Sequence, residues 1–125
     1  MFIEPDAEQI RELADSTLTG PVVMLNLLRF VPDGGLAAYL HYGEGVRPLL
    51  ERAGAKILWQ GSGDSVVIGD TAADAWDAVV LVRYPSRRAF LDMVSSPEYG
   101  AIAGHRTKAL TDSRLIACTG ELLGS

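Results

Sequence analysis

The stretch that decides the fold is Val22–Phe30, which reads VVMLNLLRF and is apolar at odd and even positions alike. A strand with one face in water alternates apolar and polar residues, whereas a run of this kind predicts a strand that is buried on both faces. Trp76–Tyr84, which reads WDAVVLVRY, shows a similar pattern. The chain therefore contains two strands that need cover on both sides of their sheet.

Two segments near the N-terminus have the spacing of apolar residues that is typical of helices. Residues 6–16 predict a short helix with Asp6 as its cap. Residues 36–53 predict a second helix. Pro48 should kink or break this second helix near Glu44, because a proline removes a backbone hydrogen bond one turn back.

The remaining segments complete the order of elements. A third helical region runs from residue 86 to about residue 110 and restarts at Ser96-Pro97-Glu98, where a capping serine precedes a proline in the first turn. Further strands are predicted at residues 55–60, 65–69 and 114–122, the first two as separate short strands or as one bent strand. After the N-terminal helix the order is β-α-β-β-α-β, which is typical of the ferredoxin-like fold.

This order predicts an α+β, ferredoxin-like domain, with a four-stranded antiparallel sheet and both helices on one face. We expect residues 1–20 to form an N-terminal helical extension and residues 21–125 to form the domain. Because both helices lie on one face, nothing within the monomer covers the second apolar face of the sheet. An exposed apolar surface of that size favours a protein partner, so we predict a homodimer that packs sheet against sheet.

Composition excludes several classes of protein. The 125 residues carry 11 Lys and Arg against 16 Asp and Glu, with no basic stripe, so we expect no nucleic-acid partner. No apolar run approaches the roughly 18 residues of a membrane helix, and the first residues lack the basic-then-apolar pattern of a secretory signal. The one cysteine, Cys118, excludes an internal disulfide and is interpreted as a core residue of a cytoplasmic protein.

Short motifs in the second half of the chain carry a resemblance to a known family. Tyr84-Pro85-Ser86 ends a strand, and Ser96-Pro97-Glu98-Tyr99 is followed by Arg106 and then by Asp112-Ser113-Arg114. Over residues 21–122 this pattern resembles the DUF1330 family of the dimeric α+β barrel superfamily. The resemblance implies a dimeric α+β barrel.

The chain departs from the family pattern at three places. Gly100 replaces the usual glutamine after the tyrosine, Arg83 replaces the usual acidic residue before the aromatic-Pro-Ser motif, and the N-terminal helix is an addition. Relatives in the superfamily include cofactor-free monooxygenases, muconolactone isomerases and haem enzymes. The resemblance therefore permits several chemistries and selects none.

Arg106 is the strongest candidate for a ligand-binding residue. Helical spacing places it on the same face as Tyr99 and Ile102, and the apolar members of that face must contact the sheet. Its guanidinium group is therefore expected in the cleft between helix and sheet. Two interpretations stay open: a structural ion pair, for example with Asp112, or an anchor that binds a carboxylate or enolate through its planar pair of donors.

Asn26 and His105 are the candidate catalytic residues. Asn26 interrupts an apolar strand, where a polar group is costly unless it is hydrogen-bonded. It either bonds a neighbouring group or donates to a substrate oxygen. His105 lies at the edge of the face that carries Arg106, and it is either a surface residue or a general base.

Three aromatic residues complete the predicted site. We expect Tyr39 and Tyr99 near the cleft, while Trp59 is either a core or dimer contact or a stacking surface for a ligand. The sequence shows neither metal-ligand spacing nor a phosphate-binding glycine motif, so we expect no metal, flavin or nicotinamide cofactor. Haem bound by His41 or His105 is the alternative.

These observations predict a small-molecule site without naming its substrate. One hypothesis is a cofactor-independent enzyme, monooxygenase-like or isomerase-like, that acts on a small aromatic or carboxylate metabolite. The alternatives are a protein that binds such a metabolite without converting it, and a purely structural dimer module. A catalytic group with a shifted pKa favours the first hypothesis, and a polar pocket without a base favours the second.

Overall fold

A computed structural model describes residues 1–120 of the chain. The elements within these residues are α1 (Ala7–Asp15), β1 (Val22–Phe30), α2 (Gly35–Arg52), β2 (Lys56–Ser62), β3 (Ala78–Tyr84), α3 (Arg87–Val94), α4 (Pro97–Ala109) and β4 (Leu110–Cys118). The four strands form one antiparallel sheet in the order β2-β3-β1-β4. The predicted α+β, ferredoxin-like fold is confirmed. None of the helices in this part of the chain combines the length and the apolar character needed to cross a membrane.

Local side-chain hydrogen bonds begin three of the helices. Asp6 accepts a bond of 2.7 Å from the backbone N–H of Gln9 and caps α1, as the sequence predicts. Ser96 caps α4 in the same way, and Ser86 caps α3 by accepting from Ala89. Each cap satisfies one of the N–H groups that the first turn of a helix leaves without a partner.

Helix α2 is continuous from Gly35 to Arg52, so a break near Glu44 is wrong, whereas the alternative, a kink there, stays a prediction. Pro48 costs the helix one backbone hydrogen bond. Helix α2 packs closely against α4, because Gly45 has no side chain at the contact. A Cβ atom at Gly45 would lie 3.0 Å from Cγ2 of Ile102.

Two predicted strands also differ from the structure. Residues 65–69 form no strand, and Val67 and Ile68 are almost fully exposed in the connection between β2 and β3. Strand β4 begins at Leu110 rather than Arg114, because β1 pairs with it as far as Phe30. The predicted end of this strand at residue 122 lies outside the described residues.

The sheet has one covered face and one open face. On β1, Val22, Met24 and Leu28 are buried in the core between the sheet and the helices. The alternate positions point the other way. We call this second surface the open face; its members, taken from the strand pairings, include Leu25, Leu27, Trp59, Val79, Leu81 and Ile116.

Cys118 belongs to the open face and is exposed, so its interpretation as a core residue is wrong. It pairs with Val23 near the start of β1, on the side of the sheet that no helix covers. The apolar residues of β4 on this side, such as Cys118, therefore belong to a surface that stays exposed in the monomer.

The N-terminal segment is tied to the start of β4. The backbone N–H of Phe2 donates to Oδ1 of Asp112 at 2.9 Å, and Oγ of Ser113 donates to the carbonyl of Phe2 at 2.7 Å. Ile10 and Leu13 of α1 pack against the core. The extension thus covers part of the domain, while the predicted division at residue 20 stays a prediction.

Candidate ligand-binding cavity

A half-open cavity of about 1670 Å³ lies between the helices, the N-terminal segment and the covered face of the sheet, and it reaches the edge of the sheet at β4. Most of its walls are apolar or aromatic, as is usual for sites that bind small molecules. The sheet contributes Met24, Val80 and Val82, and α3 contributes Phe90 and Leu91. Polar and charged side chains also line it; those on the sheet and helices α2, α3 and α4 include Asn26, Tyr39, Tyr42, Glu44, Arg47, Gln60, Arg87, Tyr99, Arg106 and Lys108.

Three tyrosines form a cluster where α2 faces α4. The hydroxyl oxygens of Tyr42 and Tyr99 are 2.9 Å apart, and the rings of Tyr39 and Tyr42 have centroids 5.5 Å apart. Burial raises the pKa of both Tyr39 and Tyr42, and the neighbouring Tyr99 raises it further. These two phenols therefore remain protonated at neutral pH and act as hydrogen-bond donors and acceptors rather than as bases.

Arg106 lines the cavity beside this cluster. Its Nη1 donates to the carbonyl oxygen of Ile3 at 2.8 Å, and its charge opposes the rise in the pKa of Tyr39. No carboxylate among residues 1–120 lies within ion-pair distance of it. The ion pair with Asp112 does not form, because Arg114 and Arg29 occupy that carboxylate at 2.7 and 3.6 Å. Arg106 thus keeps donors available for a ligand.

Asn26 lies in the cavity wall in the middle of β1. Its Nδ2 makes two long hydrogen bonds, of 3.4 Å to the carbonyl of Met24 and 3.3 Å to that of Val80. Within residues 1–120 its Oδ1 has no hydrogen-bond partner. On β2, Gln60 is paired with Val80 and reaches the same cavity, so the sheet presents two amides to a ligand.

The structure brings four predicted site residues to one cavity: Asn26, Tyr39, Tyr99 and Arg106. His105 is not among the described residues that line it. Its ring instead contacts that of His41 across α2 and α4, with centroids 4.4 Å apart. Trp59 lies on the open face, where it is 52% exposed. A catalytic role for His105 and ligand stacking by Trp59 stay predictions.

Sequence reasoning missed Tyr42 and Arg87. Tyr42 follows Tyr39 at helical spacing, and this spacing was the signal that both share a face. Arg87 lies in the first turn of α3, where the helix dipole disfavours a positive charge. An arginine directly after a capping serine was therefore the available signal for an unusual environment.

Within residues 1–120, no three His, Cys, Asp or Glu side chains come close enough to hold a metal ion. The cavity's Arg106 guanidinium, two protonated phenols and two amides suit an oxygen-rich, negatively charged group on an otherwise apolar molecule.

Comparison with known proteins agrees with the fold. The sequence profile of DUF1330, a domain of unknown function, matches residues 35–120. The crystal structure of the RPA0582 protein of unknown function from Rhodopseudomonas palustris is 37% identical, with 94% of this chain and 95% of that chain covered and a TM-score of 0.87. No protein of the curated set matches the chain.

More distant structures share the fold alone. A Bacteroides thetaiotaomicron protein named for antibiotic biosynthesis monooxygenases is 13% identical, with 85% of this chain and 94% of that chain covered and a TM-score of 0.60. A dimeric protein of unknown function with a ferredoxin-like fold from Bacteroides fragilis is 12% identical, with 81% and 97% covered and a TM-score of 0.56.

Proposed function

This chain belongs to the DUF1330 family, and we propose that its cavity binds a small aromatic or aliphatic carboxylate. One observation carries the proposal: the Arg106 guanidinium lines a mostly apolar cavity and has no carboxylate partner among residues 1–120. Its single described hydrogen bond goes to a neutral carbonyl, that of Ile3. A ligand carboxylate would accept two parallel hydrogen bonds from this guanidinium, one at each oxygen, whereas a carbonyl offers a single oxygen.

The surrounding residues supply the rest of the recognition. Tyr39 and Tyr99 offer hydroxyl groups close to the arginine, and Asn26 offers an amide from the sheet. The apolar wall buries the body of the ligand, where hydrophobic transfer contributes roughly 25 cal/mol for each Å² removed from water. The polar groups would fix the orientation of the ligand, and burial against the apolar wall would supply most of its binding affinity.

Calorimetric titration with benzoate and with neutral benzamide tests this function. We expect benzoate to bind the wild-type protein, benzamide to bind at least tenfold more weakly, and Arg106→Gln to remove the difference. Arg88→Gln is the matched control, since Arg88 is exposed and its ion-pair partner among residues 1–120 is Asp92, one turn along α3. Equal binding of benzoate to the wild type and to Arg106→Gln would contradict the proposal.

A cofactor-independent enzyme, monooxygenase-like or isomerase-like, is the second candidate. The observation that favours it is the hydroxyl pair of Tyr42 and Tyr99 beside Arg106, because such donors stabilise an enolate or another developing oxyanion. Incubation of bound carboxylates with the protein, with dioxygen consumption and product followed by mass spectrometry, separates the two functions. Recovery of every ligand unchanged favours binding without catalysis.

We also propose a homodimer that buries the open face. Trp59 and Ile116 are 52% and 48% exposed in the monomer and lie on the two edge strands of this surface, with Leu81 and Leu25 between them. A second copy presents the same apolar surface, and a two-fold axis brings the two together. The exposed thiol of Cys118 on this face fits a reducing compartment, so a cytoplasmic location belongs to the same proposal.

A further inference from the structure

Arg87 is the buried charge that the proposed site leaves unexplained. The residue is only 9% exposed, and its Nη2 donates to Oγ1 of Thr119 at 3.0 Å. Its Nη1 is fully buried and has no hydrogen-bond partner among residues 1–120. No carboxylate of these residues lies within ion-pair distance of it.

This environment is unfavourable for a cation in the absence of a ligand. A buried, unpaired charge keeps its full cost of desolvation. The dipole of α3 adds to that cost, because Arg87 occupies the first turn of the helix, where positive charge is disfavoured and an anion is favoured. An anion placed against Nη1 would complete the hydrogen bonding of the guanidinium and oppose both unfavourable effects.

Arg87 and Arg106 lie toward opposite ends of the cavity. Arg87 donates to Thr119, the residue after Cys118. Cys118 pairs with Val23, so this contact lies near the start of β1. Arg106 binds the N-terminal segment, which is anchored on Ser113 opposite Leu28. At about 3.3 Å per residue, the two ends are separated by roughly 17 Å of strand.

We propose that Arg87 is a second anion anchor and that the cavity takes an elongated dicarboxylate, with one carboxylate at each arginine. This inference rests on the proposed function of the Arg106 end. The apolar chain of such a ligand would lie along the covered face, over Met24 and Val82 and past Asn26. The apolar side chains of Met24 and Val82 suit methylene or aromatic carbons in the middle of the ligand.

Titration with decanedioate and with decanoate tests the inference at pH 7. We expect the dicarboxylate to bind wild-type protein at least tenfold more tightly than the monocarboxylate. Arg87→Met and Arg106→Gln should each abolish this advantage, whereas Arg88→Gln, the exposed neighbour, should keep it. Arg87→Lys retains the charge and should keep part of it.

The outcomes separate the two proposals. If Arg87→Met keeps the advantage while Arg106→Gln loses it along with benzoate binding, the second anchor is wrong and the proposed function stands. If Arg106→Gln changes the binding of neither decanedioate nor benzoate, the proposed function fails and the dicarboxylate fails with it.

Thermal unfolding of the ligand-free protein distinguishes an anchor from a structural ion pair. An anchor predicts that Arg87→Met leaves the Tm unchanged or raises it, because an unpaired buried charge is removed. The nearest carboxylate that follows Thr119 in the sequence, Glu121, lies outside the described residues. If Arg87→Met and Glu121→Gln lower the Tm by the same amount, and the double variant lowers it no further, Arg87 pairs with its own chain and the inference is overturned.

Discussion

The hydroxyl oxygens of Tyr42 and Tyr99 lie 2.9 Å apart and join α2 to α4 in the wall of the cavity. Their rings meet edge to face, with an interplanar angle of 89°. One hydroxyl donates to the other, so the second keeps a proton for a further acceptor. The pair therefore serves both the packing of the helices and the recognition of a ligand oxygen.

Removal of either hydroxyl should destabilise the fold, because both substitutions remove the same hydrogen bond between Tyr42 and Tyr99. We expect Tyr42→Phe and Tyr99→Phe each to lower the free energy of unfolding by about 1 kcal/mol, the usual net value of a hydrogen bond between neutral groups. The double variant should lose little more than either single variant, because both remove one interaction. Urea unfolding measures all three, and strictly additive losses would show that the two hydroxyls act independently.

Gly45 and Gly43 offer a matched test of the contact between α2 and α4. Alanine in a helix is ordinarily better than glycine by up to about 1 kcal/mol, so Gly43→Ala, where nothing lies within 4 Å of the new Cβ, should stabilise the protein. Gly45→Ala places its Cβ 3.0 Å from Ile102 and should cost about 1–3 kcal/mol through overpacking. Equal stabilisation by both substitutions would contradict the close approach of the helices.

Asp112 should make stability depend on acidity. The backbone N–H of Phe2, with further help from Arg114 and from the N–H of Ser113, lowers the pKa of this carboxyl to about 2. Because the pKa is lower in the folded than in the unfolded protein, its contribution is present above the unfolded value of about 3.9 and is lost as the pH falls toward 2.

The measurement compares urea midpoints of wild type and Asp112→Asn at pH 7, 4 and 2. We expect the wild type to be the more stable at pH 7 and the difference to shrink between pH 4 and 2. Asp92→Asn is the control, since Asp92 is exposed and, in the part of the chain that the structure describes, forms an ion pair with Arg88. A difference that stays constant down to pH 2 would be inconsistent with the lowered pKa.

The open face should control the oligomeric state. We expect light scattering at micromolar concentration to give twice the chain mass for the wild type, because a stable dimer must bury its apolar patch. Leu81→Lys introduces a charge at the centre of that face and should give a monomer. Leu36→Lys changes a leucine that is 56% exposed on α2 and should leave the dimer intact. A monomeric wild type would refute the proposed interface.

Features that depend on short stretches of chain could be predicted from the sequence. The bounds of β1 and the cap at Asp6 follow from patterns within a few residues, because strand alternation and helix capping are local effects. The order of these elements then predicts the four-stranded antiparallel sheet and the face of it that the helices leave uncovered. Arg106 and Asn26 could be placed in the cavity because periodicity assigns each to the buried side of its element.

The tertiary structure alone decided which residues meet. Tyr42 and Tyr99 are 57 positions apart, and no local pattern relates them. His105 and Arg106 are adjacent, yet a rotation of about 100° per helical residue turns one toward His41 and the other into the cavity. The periodicity of the sequence predicts which residues share a face of a helix or strand. Which element packs against that face depends on contacts between segments that are distant in the sequence, and these contacts form together throughout the core.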